Sequence, residues 1–321
     1  MVCLPNFSWL IIPAAFLLDL LFNDPVRFPH PIRWMGKAIE RTEPIFRKLP
    51  VHLIVSGALF CLTLVSTTWI LGWLTVRCAY TFSAKFGWFL ECVLLWYCIS
   101  AGSLAESSGH VVKQLLHHGI EPGRKAVSMI VGRDTRTLDE SGVLRAALET
   151  TAENFVDGVL APLFYYTIGG IPLALAYKMI NTLDSMVGYR DPAYIHFGKA
   201  SARLDDIANW IPARMSVGFI AVAAQILNHR GKDALRTALQ EGAAHLSPNS
   251  GRPEAAFAGA LHVRLNGPNV YHGIVVEKPY IGQSFGKVTP RHVFQSIDLL
   301  MLASLLAAGV LSILIWLRHG V

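Results

Sequence analysis

The sequence predicts an all-α, polytopic integral membrane protein. Of its 321 residues, 53% are hydrophobic and only 16% are charged, and the mean hydropathy is +0.42. Soluble domains carry closer to a quarter charged residues. Several apolar stretches also reach the roughly 20 residues that a helix needs to cross a bilayer. We therefore expect one membrane-embedded catalytic unit over residues 1–321 instead of two soluble domains.

Four stretches predict firm transmembrane helices. Val51–Leu74 contains no Asp, Glu, Lys or Arg, and Phe86–Ala105 and Val293–Leu317 contain one acidic residue each. The fourth, Cys3–Phe22, carries Asp19 near its end. It lacks a basic start and a small-residue cleavage site, so it is interpreted as a retained span and not as a signal peptide.

Two further apolar segments are ambiguous. Phe155–Ile180 is interrupted by Gly169–Pro172, a sequence that breaks a helix. Ile207–Leu227 carries Pro212 and Arg214 near its start. Broken helices are allowed at membrane depth where they are buried in protein or line a wet cavity. We therefore expect four firm transmembrane helices plus two embedded or re-entrant segments, with six spans as the alternative.

The basic residues of the chain lie between the spans. Loops 23–50, 106–154 and 228–292 contain six, six and eight Lys or Arg residues. The positive-inside tendency places these loops in the cytoplasm, and loop 181–206 joins them if the two ambiguous segments do not cross. The net charge of +6 therefore comes from loops that we expect in the cytoplasm, and it does not indicate a nucleic-acid partner. We expect a multi-pass membrane protein with these basic loops in the cytoplasm.

The first candidate site is an acidic run between apolar stretches. Glu149, Glu153 and Asp157 recur every four residues, a spacing that stacks three carboxylates along one helix face. Such a face becomes tolerable with a divalent cation, with arginine partners such as Arg133 and Arg145, or with a shared proton. Asn154 lies beside it. The simpler alternative is a solvated, salt-bridged helix face.

Two more polar clusters follow. Asn181–Arg190 contains Asp184, and its simpler interpretation is a polar loop that leaves a helix. Ala202–Arg214 places several acids and amides at one end of a helix, where acids are also ordinary dipole partners. The candidate residues of this second cluster are Arg203, Asp205, Asp206, Asn209 and Arg214.

Two turns complete the set. Asp24, His30 and Arg33 lie just beyond the first span, where a rigid Pro-rich turn is the simpler interpretation. Asn249 lies in Ser247–Glu254, a turn that enters a helix. Backbone N–H groups at such a helix start can also hold a phosphate.

Together these motifs resemble the adenosylcobinamide-phosphate synthase family of cobalamin biosynthesis, the membrane proteins known as CbiB or CobD. The resemblance runs in order from about residue 10 to residue 285. Departures are Asn23 for an expected Gly, Arg252 for Trp, and Gln283 for an acid. The matching stretches are Asp19–Arg33, Gly132–Asp134, Arg145–Gly158, Ala161–Phe164, Asn181–Tyr189, Phe197–Gly198, Ala202–Arg214 and Ser247–Asn249.

The resemblance implies an ATP-dependent amide ligation. The substrates would be adenosylcobyric acid and (R)-1-aminopropan-2-ol or its O-phosphate, and the products adenosylcobinamide or its phosphate. The expected cofactor is Mg²⁺, with ATP as cosubstrate. The resemblance also implies a multi-pass protein of the bacterial inner membrane, surrounded by membrane lipid, with its active site facing the cytoplasm. Association with other cobalamin-assembly enzymes is compatible with it.

Residue roles follow as expectations. Glu149, Glu153, Asp157 and Asp184 would hold Mg²⁺–ATP, and Asp205 and Asp206, with Asn209, would bind substrate or act as the base. Asn154 would join the nucleotide site. The phosphate partners would be Arg133, Arg145, Arg203 and Arg214, and the corrinoid would use the loops around Asp24, His30, Arg33 and Asn249.

Three rival functions stay open at this point. A transferase acting on a lipid or prenyl diphosphate would carry Asp-x-x-x-Asp motifs, and only Asn181…Asp184 comes near that spacing. A transporter would line its path with intramembrane charges such as Glu91, Arg214 and Asp298. A non-catalytic membrane regulator could use the same scaffold, but retention of the full acid set favours an enzyme.

Overall fold

The computed structural model describes residues 8–24, 29–189, 191–245, 247–271 and 274–319. Residues 3–7 of the first predicted span and Arg190 of the cluster Asn181–Arg190 lie outside these ranges. Helices dominate the described residues, and strands are confined to four very short segments. The all-α membrane fold class predicted from the sequence is confirmed.

The helices and strands follow in chain order. The helices are α1 (Ile11–Phe22), α2 (Pro31–Arg47), α3 (Leu53–Phe82), α4 (Ala84–Trp96), α5 (Ala101–His118), α6 (Ile120–Ser128), α7 (Glu140–Phe155), α8 (Ala161–Val187), α9 (Lys199–Ala208), α10 (Trp210–Asn228), α11 (Gly231–Glu241), α12 (Gly251–Leu261) and α13 (Pro290–His319). A 3-10 turn, Ser8–Leu10, precedes α1, and a π-helical turn, Val156–Leu160, separates α7 from α8. The strands are β1 (Leu265–Asn266), β2 (Asn269–Tyr271), β3 (Ile274–Val276) and β4 (Tyr280–Ile281).

Among the residues that the structure describes, five helical stretches are long and apolar enough to cross a membrane. Three of them contain the predicted spans Val51–Leu74, Phe86–Ala105 and Val293–Leu317 wholly or in large part. The other two contain the segments predicted to be embedded, while Ser8–Phe22 forms a shorter apolar helical stretch. The five are Leu53–Phe82, Ala84–His118, Glu140–Val187, Trp210–Asn228 and Pro290–Arg318.

The helix break predicted within Phe155–Ile180 lies inside α8. Gly169 and Gly170 have non-helical backbone angles, and Gly170 has φ +66°. Glycine adopts this left-handed conformation without the steric cost that a Cβ imposes. Pro172 follows and cannot donate a helical hydrogen bond. The helix is therefore two segments that meet at the glycine pair, as the sequence predicts.

The described chain divides into two compact units. The first unit comprises Met1–Ser100, Asp157–Asn209 and Ala308–Val321, and the second comprises Ala101–Val156 and Trp210–Ala307. Each unit has its own helix packing and its own polar cluster, and each is described by itself. The expectation of a single catalytic unit stays a prediction.

In the first unit, α3 is the central helix. It packs against α2, α4, α8 and α9, while α1 packs on α4 and α2 also packs on α8. The approach of the chain after α8 to α3 requires a glycine, because a Cβ on Gly57 would collide with the carbonyl oxygen of Phe197. Phe197 is buried and its ring lies 5.1 Å from that of Phe60. This packing fixes the segment that leads from α8 into α9.

The first unit buries an acid in the apolar helix α4. Glu91 on α4 is only 4% exposed, and its Oε2 accepts a hydrogen bond from the Tyr166 hydroxyl at 2.9 Å. A polar group is tolerated in such surroundings when its hydrogen bonds are made. Glu91 is therefore explained by a partner within its own unit.

In the second unit, α10, α11 and α12 pack on one another, and α5, α6 and α7 form a second helical group. Helix α7 contacts α12 and β1. Strand β1 pairs antiparallel with β4, and β2 pairs antiparallel with β3. These contacts bring α7, α12 and β1 together around a polar cavity.

Candidate functional site

An aspartate cluster lies in the first unit, where α8, α9 and the π-helical turn supply polar side chains. Asp157 Oδ2 accepts a hydrogen bond from Asn181 Nδ2 at 3.2 Å, and Oδ1 accepts one from the Tyr177 hydroxyl at 3.5 Å. Tyr177 and Asn181 are one turn apart on α8 and so present their polar atoms on the same face. The predicted acid Asp157 is thus oriented by two side chains of α8.

Asp205 and Asn209 extend the aspartate cluster from α9. Asn209 is 2% exposed, its Nδ2 donates to Asp205 Oδ2 at 3.1 Å, and its Oδ1 accepts from the Tyr177 hydroxyl at 2.9 Å. Burial, together with the negative charges of Asp157 and Asp184, raises the pKa of Asp205 well above its usual value. Three aspartates therefore influence one another in this cluster, and their mutual repulsion favours a bound cation or a retained proton.

A second cavity of the first unit, of about 210 Å³, is lined by Asp24, His30, Arg33 and Lys178. His30 caps α2: its Nδ1 accepts from the backbone N–H of Ile32 at 3.2 Å. That bond leaves the proton on Nε2, which lies 3.1 Å from Asp24 Oδ1. Burial lowers the pKa of His30 despite the nearby Asp24 carboxylate, so the ring is neutral at neutral pH. The structure brings together three residues predicted to bind substrate.

A buried ion pair organises the polar cavity of the second unit. Arg133 Nη2 lies 2.5 Å from Glu149 Oε2, and the two side chains are 7% and 8% exposed. Arg145 Nε lies 3.6 Å from Glu149 Oε1, four residues further along the same helix. The backbone N–H of Asn266 donates to the same Oε1 at 2.7 Å. Both oxygens of Glu149 are thus held by donors of its own unit.

Asn266 joins a second buried acid to this arrangement. Its Nδ2 donates to Glu254 Oε2 at 2.9 Å, and its backbone has φ +60°, a conformation that Asn tolerates better than most residues. Burial, with the charges of Glu149 and Glu153, raises the pKa of Glu254 well above its usual value. His245 Nε2 lies 4.0 Å from Glu254 Oε1, and burial lowers the pKa of His245.

These groups surround a cavity of about 180 Å³ in the second unit. Glu153 faces it and accepts a hydrogen bond from the Ser250 hydroxyl at 3.0 Å, and Asn154 also lines it while donating to the Thr150 carbonyl at 3.0 Å. The cavity combines cationic and anionic side chains, as a site for a metal-bound phosphate requires. Its charged or titratable lining residues are Arg133, Glu149, Glu153, His245, Glu254 and Lys278.

Other predicted site residues take more local partners. Arg203 is 74% exposed and its Nη1 lies 3.7 Å from Asp206 Oδ2 on the same helix. Arg214 Nη1 donates to the Trp210 carbonyl at 2.7 Å, and its guanidinium lies over the Trp210 ring. Asn249 is buried in the turn before α12, where its backbone N–H donates to Ser247 Oγ. Arg203 and Arg214 therefore make local surface contacts, and Asn249 belongs to the turn that starts α12.

The four acids expected to hold Mg²⁺ divide between the units. Glu149 and Glu153 belong to the second unit, and Asp157 and Asp184 belong to the first. A π-helical turn has a wider period than an α-helix, so the regular spacing assumed for a stacked carboxylate face is not kept between Glu153 and Asp157. Among the described residues, no group of three or more His, Cys, Asp or Glu side chains could hold a metal by itself. A shared site for the four acids stays a prediction.

Sequence reasoning missed several residues that the structure places in these clusters. Lys178 and Tyr177 lie in an apolar segment, where a charged residue is by default a functional candidate. Glu254 was visible in the turn that enters α12, but its role depends on Asn266. No local pattern marks Asn266, because its two contacts come from residues 117 and 12 positions away.

Known proteins similar to this chain belong to one family. Residues 12–300 match the family described as CobD/Cbib protein. The chain is 48% identical over 272 residues to the cobalamin biosynthesis protein CobD of Geobacter metallireducens, covering 85% of this chain and 86% of that protein. It is 43% identical over 312 residues to CobD of Photorhabdus laumondii, covering 96% and 97%. It is 39% identical over 307 residues to CbiB of Salmonella typhimurium, covering 95% of each. No solved structure gives a significant match.

Proposed function

The chain belongs to the CobD/CbiB family of cobalamin biosynthesis proteins, and on this premise we propose that it catalyses an ATP-dependent amide ligation. The acid is adenosylcobyric acid, and the amine is (R)-1-aminopropan-2-ol or its O-phosphate. The product is adenosylcobinamide or its phosphate. The observation that carries the chemistry is the cavity of the second unit, where the buried Arg133–Glu149 pair lies with Lys278 and two further carboxylates.

The simplest reaction has two steps. A carboxylate oxygen of the corrinoid attacks the γ-phosphorus of ATP, ADP leaves, and an acyl phosphate forms. The amine nitrogen then attacks the acyl carbon, inorganic phosphate leaves, and a base removes the surplus proton from nitrogen. Both steps are favoured by cationic groups on the phosphoryl oxygens and by the exclusion of water from the acyl phosphate.

The second unit supplies groups for phosphate recognition. Arg133 and Arg145 each have a buried Nε that makes no hydrogen bond within the described residues. Buried guanidinium donors with this capacity suit phosphate oxygens, which accept paired N–H bonds. Lys278 lines the same cavity as Arg133. We assign the phosphates of ATP to the cavity wall that Arg133 and Lys278 form, with Asn154 beside it.

Mg²⁺ suits neighbouring carboxylates of the first unit. Mg²⁺ takes one or two carboxylates, keeps several waters, and completes its shell with substrate oxygens. In the aspartate cluster, Asp157 and Asp184 add negative charge around Asp205. We therefore assign Mg²⁺ to Asp157 and Asp184 in preference to Glu149, whose oxygens already face donors. When bound, Mg²⁺ would offset the repulsion between these carboxylates.

Asp205 is our candidate for the base. A carboxylate whose pKa is raised toward the working pH accepts a proton more readily than an ordinary one. Asn209 and Tyr177 fix its orientation through a chain of two hydrogen bonds. The exposed pair of Arg203 and Asp206, and Arg214 on its own helix, are assigned no direct role.

The experiment that tests the proposal is a product assay. Detergent-solubilised protein receives adenosylcobyric acid, Mg²⁺–ATP and either amine, and the corrinoid product is followed by mass spectrometry. ATP-dependent formation of an amide supports the ligase. Absence of amide with both amines, in protein that is folded and monodisperse, contradicts it and favours a transporter or a regulator.

One substitution sharpens that assay. Replacing Glu153 with Gln should abolish product while leaving the protein in the membrane, because the change removes a cavity charge without changing shape. Glu140→Gln is the matched control, since Glu140 is exposed at the start of the same helix. Near-normal turnover of Glu153→Gln would remove Glu153 from the site.

A further inference from the structure

Lys178 is a positive charge in the middle of an apolar helix, and neither the expected roles nor the proposed reaction uses it. It lines the 210 Å³ cavity together with Asp24, His30 and Arg33. Its neighbour in sequence, Tyr177, belongs to the aspartate cluster. A charged side chain in an apolar segment costs free energy unless it is paired or used. The question is what the Lys178 ammonium binds.

The described residues use only part of the hydrogen-bonding capacity of Lys178. Its Nζ donates to the main-chain carbonyl of Asp157 at 3.4 Å, beyond the usual range for a strong bond. An ammonium group has three donors. Among the described residues, Lys178 donates this one hydrogen bond. Its other donors are therefore available to a group in the cavity.

Charge compensation alone does not account for Lys178. Asp24, Asp157 and Asp205 are its electrostatic neighbours, but each has donors of its own. Asp24 contacts His30 and Arg33, Asp157 accepts from Tyr177 and Asn181, and Asp205 accepts from Asn209. The ammonium makes its hydrogen bond to a carbonyl and not to one of these carboxylates.

The cavity has the size and charge for a small anion. Two cations, Arg33 and Lys178, line it, and His30 uses its Nε2 proton on Asp24. A volume of about 210 Å³ is below the roughly 300–1,000 Å³ of pockets for drug-sized ligands, so the described cavity suits a small phosphate ester better than a whole corrinoid. Resting on the proposed ligation, we propose that this cavity binds aminopropanol O-phosphate and that Lys178 and Arg33 contact its phosphate.

Lys178 then determines which amine the enzyme prefers. The phosphate of the phosphorylated amine gives the ammonium a charged partner, whereas the free alcohol leaves it without one. Hydrogen bonds to charged groups discriminate by about 10- to 100-fold. The preference is expressed as the ratio of kcat/KM for aminopropanol O-phosphate to kcat/KM for aminopropanol.

The test compares this ratio in wild type, Lys178→Met, Lys178→Arg and the control Lys37→Met, which alters an exposed lysine on α2. We expect Lys178→Met to lower the ratio by about 10- to 100-fold, mainly through a higher KM for the phosphorylated amine. Lys178→Arg should retain most of the preference because the charge remains. Lys37→Met should leave the ratio unchanged.

Three outcomes would overturn the inference. An unchanged ratio in Lys178→Met would do so, and so would a rise in the KM for ATP with equal losses for both amines, which would place Lys178 at the nucleotide. If Lys178→Met does not fold, Lys178→Arg decides. A folded Lys178→Arg that keeps full turnover but no longer prefers aminopropanol O-phosphate over aminopropanol would contradict a charge-based role. Failure of the proposed function is distinguishable, because wild type would then form no amide with either amine.

Discussion

Arg133 and Glu149, sixteen residues apart, form a buried ion pair in which Nη2 lies 2.5 Å from Oε2. The pair joins the segment before α7 to the middle of that helix. Asn266 and Arg145 complete the surroundings of Glu149. Both oxygens of the Glu149 carboxylate therefore face donors. Glu149 holds the wall of the second-unit cavity together and lies beside the proposed phosphate site.

Removing one member of this pair should destabilise the protein. Arg133→Met leaves Glu149 buried without its strongest partner, and breaking a buried ion pair costs about 3–5 kcal/mol. The free energy of unfolding, measured by titration from mild detergent into SDS, should fall by that amount. The double variant Arg133→Met/Glu149→Met should regain part of the loss, because no uncompensated charge remains.

Arg136→Ala is the control for Arg133, since Arg136 is 85% exposed and binds the neighbouring Asp134. It should leave the free energy of unfolding nearly unchanged. Equal stability of wild type and Arg133→Met would show that the ion pair contributes nothing to the fold.

Glu254 should make stability fall as the pH rises above the ordinary pKa of a glutamate. Its folded pKa is raised above the ordinary value of 4.5, so the folded state keeps a proton that the unfolded state has lost. That contribution is full below the unfolded pKa and is lost as pH rises through the folded pKa. Glu254→Gln mimics the protonated acid, so its melting temperature should decline less than that of wild type as the pH rises above the unfolded pKa. Parallel pH profiles for the two proteins would refute this account of Glu254.

His30 should have the opposite effect at acid pH. Its folded pKa is lowered below the ordinary value of 6.5, so protonation favours the unfolded state. The loss of stability begins as pH falls below about 6.5 and grows toward the folded pKa. His30→Asn keeps a side chain that can cap α2 but does not titrate. The difference in melting temperature between wild type and variant should therefore change with pH only on the acid side. A difference that is constant with pH would assign His30 a capping role alone.

Gly57 should not accept a side chain. A Cβ at this position meets the carbonyl of Phe197, and overpacking a close contact typically costs about 1–3 kcal/mol. Gly57→Ala should therefore lower the free energy of unfolding by that amount. Gly36→Ala, where the added Cβ would be 3.6 Å from Met186 Sδ, is the matched control in the same unit. A tolerated Gly57→Ala would show that α3 and the Phe197 segment can move apart.

The sequence was sufficient for features that depend on local pattern. Long apolar stretches predicted the membrane helices, and the Gly169–Pro172 segment predicted the break in α8. Arg145 and Glu149, four residues apart on α7, form an ion pair of the kind that the simpler salt-bridged alternative describes. Each of these depends on residues within one or two helical turns, where spacing alone determines which side chains meet.

Features that depend on distant residues could not be predicted in this way. The spacing of Glu149, Glu153 and Asp157 suggested one carboxylate face, but the π-helical turn interrupts the period on which that inference depends. Asn266 binds Glu149 and Glu254 only because the chain returns as β1 beside α7 and α12. The candidate role of Lys178 depends on its position in the cavity beside His30, which no local sequence pattern indicates.

The most direct test of the central claim follows an oxygen atom. Adenosylcobyric acid labelled with ¹⁸O in its reacting carboxylate is converted with Mg²⁺–ATP and the amine, and the inorganic phosphate is analysed by mass spectrometry. The proposed acyl phosphate predicts one ¹⁸O in the released phosphate for each amide formed, with ADP as the nucleotide product. Label in AMP, or amide formed without transfer of label to phosphate, would contradict it.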